Sequence, residues 1–333
     1  MEGMVMKRVF CLATVISTLI LFGANIPVWG AAYPTRPVTM INPQPPGGFL
    51  DLQTRTFGIL AEKMVGQPFV LVNKPGAHGM VGCTSVLQAP PDGYTLLVGS
   101  VNITGIVEFE IAEGRKPPFT RQDFIPIGSF TLSPPIIIVP YESSWKTLAD
   151  MIKDAKAKPG FYAYSHGGLY GMAHVPAAIF AMAAGLKFRS VPYAGGGPAI
   201  TAVVGKQVDF QMSYPNTSLP LVKGNKLRVL GVMGDKRLRT VPEIPTVKES
   251  GVDAEYYAWV GILASKRTPE PVVERLREIV NKVANDKAFS DVLEKDGTEV
   301  RYMDHNELTK YWDLESERIG KVMKQMVKEA SAK

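Results

Sequence analysis

Short apolar runs alternate with helical spacing along most of the chain. A first run at 37–43 precedes a helical pattern over 51–65 that ends at Gly66. Further apolar runs lie at 68–73, 94–100, 135–140, 161–164, 188–193, 208–212 and 227–233, and helical patterns lie at 79–87, 147–156, 172–185 and 198–204. Continuous apolar runs of this length are typical of strands buried on both faces, so the alternation predicts doubly wound α/β sheets. Two such series predict two sheets.

Two helices are predicted near the C-terminus, after a strand at 256–264. Thr268 and Pro269 suit the N-cap and the first position of the first helix, whose apolar residues recur on one face. The second helix is predicted to start near His305, where apolar residues alternate with many charges. We therefore expect it to pack across a surface.

The N-terminus has the pattern of a secretion signal. Lys7 and Arg8 precede an apolar run over 9–22, which is shorter than the roughly 20 residues that a bilayer span needs. Small residues near Gly30 follow the run, so the sequence predicts a cleaved signal peptide at 1–30 and a periplasmic location. An uncleaved membrane anchor is the alternative, and the length of the run argues against it.

Composition limits the classes of site that the chain can carry. Outside the predicted signal peptide, Cys83 is the only cysteine, which excludes disulfides and cysteine metal clusters. The net charge of +6 includes +1 from Glu2, Lys7 and Arg8, so the remainder is mildly basic. These charges are scattered and show no nucleic-acid-binding pattern, but they favour an anionic ligand over a cationic one.

Three glycine-rich turns are candidates for ligand binding. They lie at 45–51, 165–171 and 193–198, and each follows a predicted strand and leads into a predicted helix. Glycine lets the backbone approach a ligand, and free N–H groups at helix starts favour anions by roughly 0.3–1 kcal/mol each. The alternative is that these segments are only tight turns and helix caps, with Asp51 as the N-cap of its helix.

Enzymatic and metal sites find little support in the motifs. The chain lacks a phosphate-binding loop, a dinucleotide-binding loop and a Gly-x-Ser-x-Gly elbow. Its histidines, His78, His166, His174 and His305, include no pair at the i, i+4 spacing of a zinc helix. Adjacent Ser165 and His166 at a strand end would point to opposite faces. We therefore predict no catalysis, no cofactor and no metal.

Ordered sequence blocks resemble those of the tripartite tricarboxylate transporter receptors, also called Bug receptors. The blocks are YPTRP at 33–37, PPGGFLD at 45–51, GQPFV at 66–70, NKPGAHG at 73–79, APPDGYTL at 89–96, VPYAGG at 191–196 and VPEIPTVKESG at 241–251. They follow the order usual in that family and extend over nearly the whole chain after the predicted signal peptide.

The resemblance implies a two-lobed α/β periplasmic binding protein of the type II-like Venus flytrap form, with lobes joined by crossing strands. Lobe 1 is expected over 31–131 and 252–333, and lobe 2 over 132–251. Such receptors close on a small organic anion and deliver it to membrane permease subunits without chemistry. We expect a monomer that binds no nucleic acid.

The resemblance also implies which residues bind the ligand, because family ligands are small carboxylates held by backbone N–H groups and ordered water at facing turns. The implied residues are Pro46, Gly47, Gly48, Phe49, Asp51, Ser100, Asn102, Ser165, His166, Gly167, Gly168, Leu169, Tyr170, Tyr193, Gly196 and Pro198.

Two departures from the family pattern bear on the ligand. The stretch SHGGLYG at 165–171 replaces small hydroxyl residues with an imidazole and an aromatic ring, and Ser213-Tyr214 replaces an aspartate-asparagine pair. His166, Leu169, Tyr170 and Tyr214 therefore favour a carboxylate with an apolar or aromatic body over an amino acid. A dicarboxylate stays open as an alternative ligand. Two other functions remain open: a ligand-presenting co-receptor for a membrane sensor, and an exported hydrolase that uses His166 or His174.

Overall fold

The computed structural model describes residues 33–331, apart from the side chains of Asn102 and 329–331. The predicted signal peptide lies outside the described residues. The unit Pro34–Lys333 contains two sheets. Its strands are β1 (Val38–Asn42), β2 (Phe69–Asn73), β3 (Thr95–Gly99), β4 (Phe124–Ser133), β5 (Ile136–Pro140), β6 (Ala163–His166), β7 (Arg189–Pro192), β8 (Phe210–Ser213), β9 (Leu227–Val232), β10 (Ala258–Ser265) and β11 (Val300–Met303).

Ten α-helices are described in the same unit. They are α1 (Phe49–Val65), α2 (Met80–Gln88), α3 (Val101–Ala112), α4 (Leu148–Ala157), α5 (His174–Ala184), α6 (Gly196–Val204), α7 (Pro215–Lys223), α8 (Glu270–Ala284), α9 (Lys287–Lys295) and α10 (His305–Ser331). Short 3₁₀ helices lie at Ala77–Gly79 and Arg121–Asp123.

The first sheet has the strand order β11-β4-β10-β3-β1-β2. Strands β2 and β3 pair in parallel with β1, whereas β10 runs antiparallel to β3 and β4, and β11 runs antiparallel to β4. The apolar pattern did not predict β4, because its sequence FIPIGSFTLS places glycine, serine and threonine at buried positions. A buried strand with small polar residues lacks the continuous apolar run on which the prediction relied.

The second sheet has the order β7-β6-β8-β5-β9, in which β6 is parallel to β7 and β8 while β5 is antiparallel to β8 and β9. The chain enters this sheet between β4 and β5 and returns to the first sheet between β9 and β10. Two α/β lobes result, which confirms the predicted fold class. The lobe boundaries at 131/132 and 251/252 stay a prediction.

Each sheet packs against its own hydrophobic core. Trp259 and Trp312 are almost fully buried in the first, and Ile136 and Val229 lie in the second. Strand β10 is buried along its whole length because helices and neighbouring strands cover it. In the described part of the chain, no helix is long and apolar enough to cross a membrane.

Helix starts differ from the prediction at two places. Helix α1 begins at Phe49 with Gly48 as its N-cap, so Asp51 lies in the first turn and is not the N-cap. Helix α8 begins at Glu270 with Pro269 as its N-cap, so the cap predicted at Thr268 was wrong by one residue.

Helix α10 begins at His305 as predicted, and its contacts are more extensive than expected. It packs against α3, β4 and α5, with Leu308, Trp312 and Ile319 almost fully buried. Only one of its large apolar residues, Leu314, is strongly exposed, at 65% of its surface. The helix therefore contacts elements of both lobes.

Candidate functional site

A cavity of about 470 Å³ lies between the two lobes. Its lining residues fall within 42–50 and 75–79 of the first lobe and within 167–173, 192–200 and 211–217 of the second. These segments lie at the carboxyl ends of β1, β2, β6, β7 and β8. In open α/β sheets, ligands bind in the crevice outside the carboxyl ends of the strands. The cavity is therefore the candidate binding site.

Helices α1, α6 and α7 are among those that begin at this cavity. The N-caps of α1, α6 and α7 are Gly48, Gly195 and Tyr214, and none of these residues caps its helix with a side-chain hydrogen bond. The first N–H groups of a helix have no partner within the helix, and the helix dipole adds partial positive charge there. These helix starts are therefore suited to binding an anion without a cationic side chain.

The polar side chains of the cavity wall are amides, hydroxyls and one imidazole. No Lys, Arg, Asp or Glu lines it among the described residues. Buried Asn42 accepts a hydrogen bond from the Gln44 backbone N–H at Oδ1 (3.1 Å), and its Nδ2 has no partner among the described residues. Ser213 Oγ lies 2.6 Å from Ser218 Oγ and 3.2 Å from Thr217 Oγ1. The unpaired donor Asn42 Nδ2 is suited to an acceptor on a ligand, because a buried donor without a partner costs free energy.

Apolar side chains cover much of the remaining wall. The rings of Phe49 and Tyr214, one from each lobe, lie with centroids 4.2 Å apart. The Tyr214 hydroxyl donates to the Met172 carbonyl oxygen (3.0 Å), and burial raises the pKa of Tyr214 well above its ordinary value. Leu169 and Tyr193 also line the cavity. This wall leaves space for an apolar ligand body between polar contacts.

The predicted site residues divide into two groups in the structure. Those that line the cavity are Gly48, Phe49, Gly167, Gly168, Leu169, Tyr193, Gly196 and Tyr214. Those that do not are Pro46, Gly47, Asp51, Ser100, Ser165, His166, Tyr170 and Pro198. The side chain of Asn102 is outside the description.

Asp51 has partners outside the cavity. Its carboxylate accepts hydrogen bonds from Arg55 Nε (2.9 Å) and Asn73 Nδ2 (3.0 Å). Burial disfavours its charge, but the bonds from Arg55, Asn73 and the Gly47 backbone outweigh burial and lower the pKa of Asp51. Asp51 thus connects the first turn of α1 to the end of β2.

Ser165 and His166 do not line the cavity and instead form hydrogen bonds within the second lobe. Ser165 Oγ donates to the Ala199 carbonyl oxygen (2.9 Å), whereas His166 Nε2 lies 2.7 Å from Ser190 Oγ and its Nδ1 accepts from the Gly168 backbone N–H (3.3 Å). Ser165 and His166 therefore have different partners and do not form a nucleophile–base pair. Burial lowers the pKa of His166 to about 4.

Tyr170 and Ser100 contact the opposite lobe. The Tyr170 ring stacks on Phe109 of α3 with centroids 3.8 Å apart, and its backbone N–H donates to His174 Nδ1 (3.0 Å). Ser100 Oγ donates to Met172 Sδ (3.9 Å). Both contacts hold the lobes together beside the cavity.

The sequence prediction missed several lining residues. The polar ones are Asn42, Gln44, His78, Gln211, Ser213 and Thr217. Asn42 and Ser213 are the last residues of β1 and β8, so a polar residue at the carboxyl end of a predicted strand was the available signal.

In the described part of the chain, no cluster of three or more His, Cys, Asp or Glu side chains is arranged to hold a metal ion.

Comparisons with known proteins give one consistent result. Residues 54–327 match the family model described as "Tripartite tricarboxylate transporter family receptor". The chain is 33% identical over 265 residues to the "UPF0065 protein in tcbD-tcbE intergenic region" of Pseudomonas sp. (strain P51). The aligned region covers 79% of this chain and 77% of that protein.

Solved structures show the same similarity. Rpa4515 of R. palustris with adipate superposes with a TM-score of 0.80 at 25% identity, over 87% of this chain and 98% of that one. MatC of Rhodopseudomonas palustris with bound malate gives a TM-score of 0.79 at 26% identity, over 87% and 100% of the two chains. From the family match, the ordered sequence blocks and the two-lobed fold, we conclude that the chain belongs to the tripartite tricarboxylate transporter family of receptors.

Proposed function

We propose that this protein is a periplasmic solute-binding receptor that captures a small organic carboxylate and delivers it to membrane permease subunits of a tripartite tricarboxylate-type transporter. The observation that carries the proposal is the convergence of three helix N-termini without side-chain caps on a cavity without Lys, Arg, Asp or Glu in its described wall. A carboxylate at these helix starts would accept from backbone N–H groups and gain from the helix dipoles.

Relatives support the class of ligand. Rpa4515 was solved with adipate and MatC with malate, and both superpose on this chain over most of its length. We propose that the predicted signal peptide directs export and that the receptor acts as a monomer. The apolar wall formed by Phe49, Leu169 and Tyr214 favours a carboxylate with an aliphatic or aromatic body.

The first test is a binding panel. Purified protein is titrated calorimetrically with malate, adipate, hexanoate and benzoate, with glucose and choline as neutral and cationic comparisons. At least one carboxylate should bind and stabilise the protein by about 2.7 kcal/mol at a hundredfold excess over its Kd. Binding of glucose or choline without any carboxylate would disprove an anion receptor.

Two isosteric substitutions test the neutral cavity wall. Asn42→Asp and Gln211→Glu each add a negative charge to a lining residue, and we expect affinity for the bound carboxylate to fall by about tenfold or more because of like-charge repulsion. Asn281→Asp is the matched control, since Asn281 is exposed on α8 outside the cavity. Equal affinity in all three variants would argue against a carboxylate in this cavity.

A further inference from the structure

Positive charge is concentrated in the segment that forms the second sheet. Residues 132–251 contain 14 lysines and arginines and seven aspartates and glutamates, whereas 34–131 and 252–333 together contain 21 and 23. The second lobe therefore accounts for the basic character of the chain, although its basic residues are scattered along the sequence. Such an asymmetry points to an anionic partner of that lobe.

One edge of the second sheet gathers these basic residues. Strands β6, β7, β8 and β9 begin at this edge and β5 ends there, because β5 is antiparallel to β8 and β9. The cavity lies at the opposite edge, where β6, β7 and β8 end. At the first edge, each of the five strands has an exposed basic residue in its adjoining segment. We call this surface the basic edge, and its exposed cations are Lys146, Lys158, Lys187, Arg189, Lys206 and Lys226.

Hydrogen bonds between backbone groups hold the segments of the basic edge side by side. The Tyr141 N–H donates to the Lys226 carbonyl oxygen (3.0 Å), and the Gly160 N–H donates to the Lys187 carbonyl oxygen (2.9 Å). Neighbouring strands are roughly 4.8 Å apart, so five strands spread the charges over about 19 Å. Adjacent strand ends are closer than the screening length of about 8 Å at physiological salt, so their charges act together on an anionic surface.

Three acidic residues near the basic edge, Glu142, Asp154 and Asp209, have partners of their own. Glu142 forms an ion pair with the lysine before β8. Asp154 Oδ2 accepts from a tryptophan ring N–H (2.9 Å), and Asp209 Oδ2 accepts from the first backbone N–H of β6 (2.7 Å). The described ion pairs of the second lobe include neither Lys158 nor Lys187. These two ammonium groups are therefore left to pair with groups of a partner.

Two exposed aromatic rings lie among these charges. Phe161 exposes 61% of its surface and Tyr141 exposes 43%. Lys158 Nζ lies 5.3 Å from the centroid of the Phe161 ring, and Arg228 Cζ lies 5.0 Å from the centroid of the Tyr141 ring. Basic side chains around exposed aromatic rings are typical of surfaces that bind a bilayer. There the rings enter the headgroup region and the cations pair with lipid phosphates.

The kind of cation favours a lipid surface over an acidic protein. Five of the six exposed cations of the basic edge are lysines. Lysine is a point charge on a flexible stem, whereas arginine has a planar fork that binds carboxylates with fixed geometry. A fluid bilayer offers negative charge without a fixed arrangement, which suits lysine.

We propose that the basic edge of the second lobe binds the surface of a bilayer that contains anionic phospholipid, with the Phe161 ring in the headgroup region. This site goes beyond the proposed function, because the cavity lies at the opposite edge of the same sheet and takes no part in it. The protein would thus bind a membrane surface and a solute at two separate places.

Co-sedimentation with vesicles tests the binding of lipid. Wild-type protein is mixed with vesicles of phosphatidylcholine alone, or of phosphatidylcholine with about one-third phosphatidylglycerol, at two salt concentrations. At about 0.1 M NaCl, partitioning onto the anionic vesicles should be at least about tenfold stronger than onto the neutral ones. The preference should vanish at about 1 M NaCl, because the screening length falls from about 10 Å to about 3 Å.

Two double variants with the same change of net charge locate the binding surface. Lys158→Glu with Lys187→Glu should weaken partitioning onto anionic vesicles by at least about tenfold, because each lysine near the lipid contributes about fivefold. Lys63→Glu with Lys282→Glu, at exposed positions of α1 and α8, is the matched control and should bind nearly as the wild type. Both should keep the wild-type Tm, because the changed side chains are exposed.

Phe161→Ser tests the aromatic contact at unchanged charge. Partitioning onto anionic vesicles should fall by about fivefold, because the ring no longer enters the headgroup region. Leu314→Ser is the control, since it removes an apolar side chain that is 65% exposed on α10, and it should have no effect. Equal binding of these two variants would overturn the insertion of Phe161.

The remaining outcomes decide on the basic edge itself. Equal partitioning of the wild type onto neutral and anionic vesicles, or onto neither, overturns the proposal. Equal losses in the two double variants do so as well, because net charge alone would then explain binding. Binding to soluble polyglutamate without binding to anionic vesicles also overturns it and indicates an acidic protein as the partner.

Discussion

Glu315 of α10 is a buried carboxyl group that accepts hydrogen bonds from three side chains. Its Oε2 accepts from Thr104 Oγ1 (2.9 Å) and Trp259 Nε1 (3.0 Å), and its Oε1 accepts from the Tyr256 hydroxyl (3.3 Å). Burial raises the pKa of Glu315 to about 7, although these hydrogen bonds oppose the shift. Tyr256 lies between β9 and β10, where the chain returns to the first lobe.

This shift predicts a loss of stability as pH rises. The folded carboxyl group keeps its proton up to about pH 7, whereas the ordinary pKa of a glutamate side chain is 4.5. The folded state therefore binds more protons between these values, and the free energy of unfolding falls by up to about 3 kcal/mol as pH rises through this window. Glu315→Gln should lose this pH dependence, which is measured as the difference between the unfolding free energies in urea at pH 5 and at pH 8. Glu317→Gln, exposed on the same helix, is the control and should retain it.

The lowered pKa values of His166 and His174 predict that stability falls as pH falls, which is opposite to the effect of Glu315. Burial lowers the pKa of His174 to about 3, from the ordinary histidine value of 6.5, with His166 as a further cause. The unfolded state binds more protons between these values. The contribution of the neutral His174 ring to the free energy of unfolding is therefore complete above about pH 6.5 and is lost as pH falls. Between pH 7 and pH 5 the loss is about 2 kcal/mol. His174→Asn should reduce it in denaturant unfolding, and parallel curves for variant and wild type would contradict this prediction.

At the scale of elements, the two glycine turns of the second lobe depend on one close approach. A Cβ at Gly167 would lie 2.5 Å from the Gly195 carbonyl carbon and 2.5 Å from the Gly196 backbone nitrogen. Backbone atoms cannot move away as a flexible side chain can. The start of α6 is therefore positioned by the absence of a side chain on the turn after β6.

Gly167→Ala should separate these turns. We expect a loss of about 1–3 kcal/mol in unfolding free energy and at least a tenfold loss in ligand affinity, because overpacking displaces the helix start. Gly197→Ala is the matched control, since no atom lies within 4 Å of a Cβ there and alanine favours the helix. Calorimetric titration and thermal unfolding measure both effects, and equal behaviour of the two variants would refute the explanation.

At the scale of the whole molecule, the lobes meet at α3 beside the cavity. A Cβ on Gly105 would collide with the Tyr170 carbonyl oxygen, and the Tyr170 ring stacks on Phe109 one turn along the helix. Phe49 and Tyr214 form a second contact between the lobes. The arrangement described here is therefore a closed one, in which the cleft is bridged on more than one side.

Gly105→Ala should weaken closure without affecting either core. We expect a larger radius of gyration by small-angle scattering and weaker ligand binding, because closure and binding are coupled. Phe109→Leu removes the stacking at the same contact and should act in the same direction. An unchanged radius of gyration and affinity in both variants would show that this contact does not hold the lobes together.

Much of the fold could be predicted from the sequence, because continuous apolar runs identified most strands. Strand β4 and helix α3 were missed for related reasons: β4 buries small polar residues, and α3 has apolar residues all around with little periodicity. Of the candidate site, the glycine turns and Tyr214 were identified. His166 and Tyr170 were assigned to the ligand, but their partners are Ser190 and Phe109.

The sequence by itself determined the two-sheet α/β fold, the family and the three glycine turns, since these depend on local pattern and on ordered motifs. Only the tertiary structure decided which side chains line the cavity. Asn42, His78 and Gln211 come from distant segments and from both lobes, and their meeting depends on strand order and lobe closure. Spacing along the chain carries no information about either, because both result from packing between elements far apart in sequence.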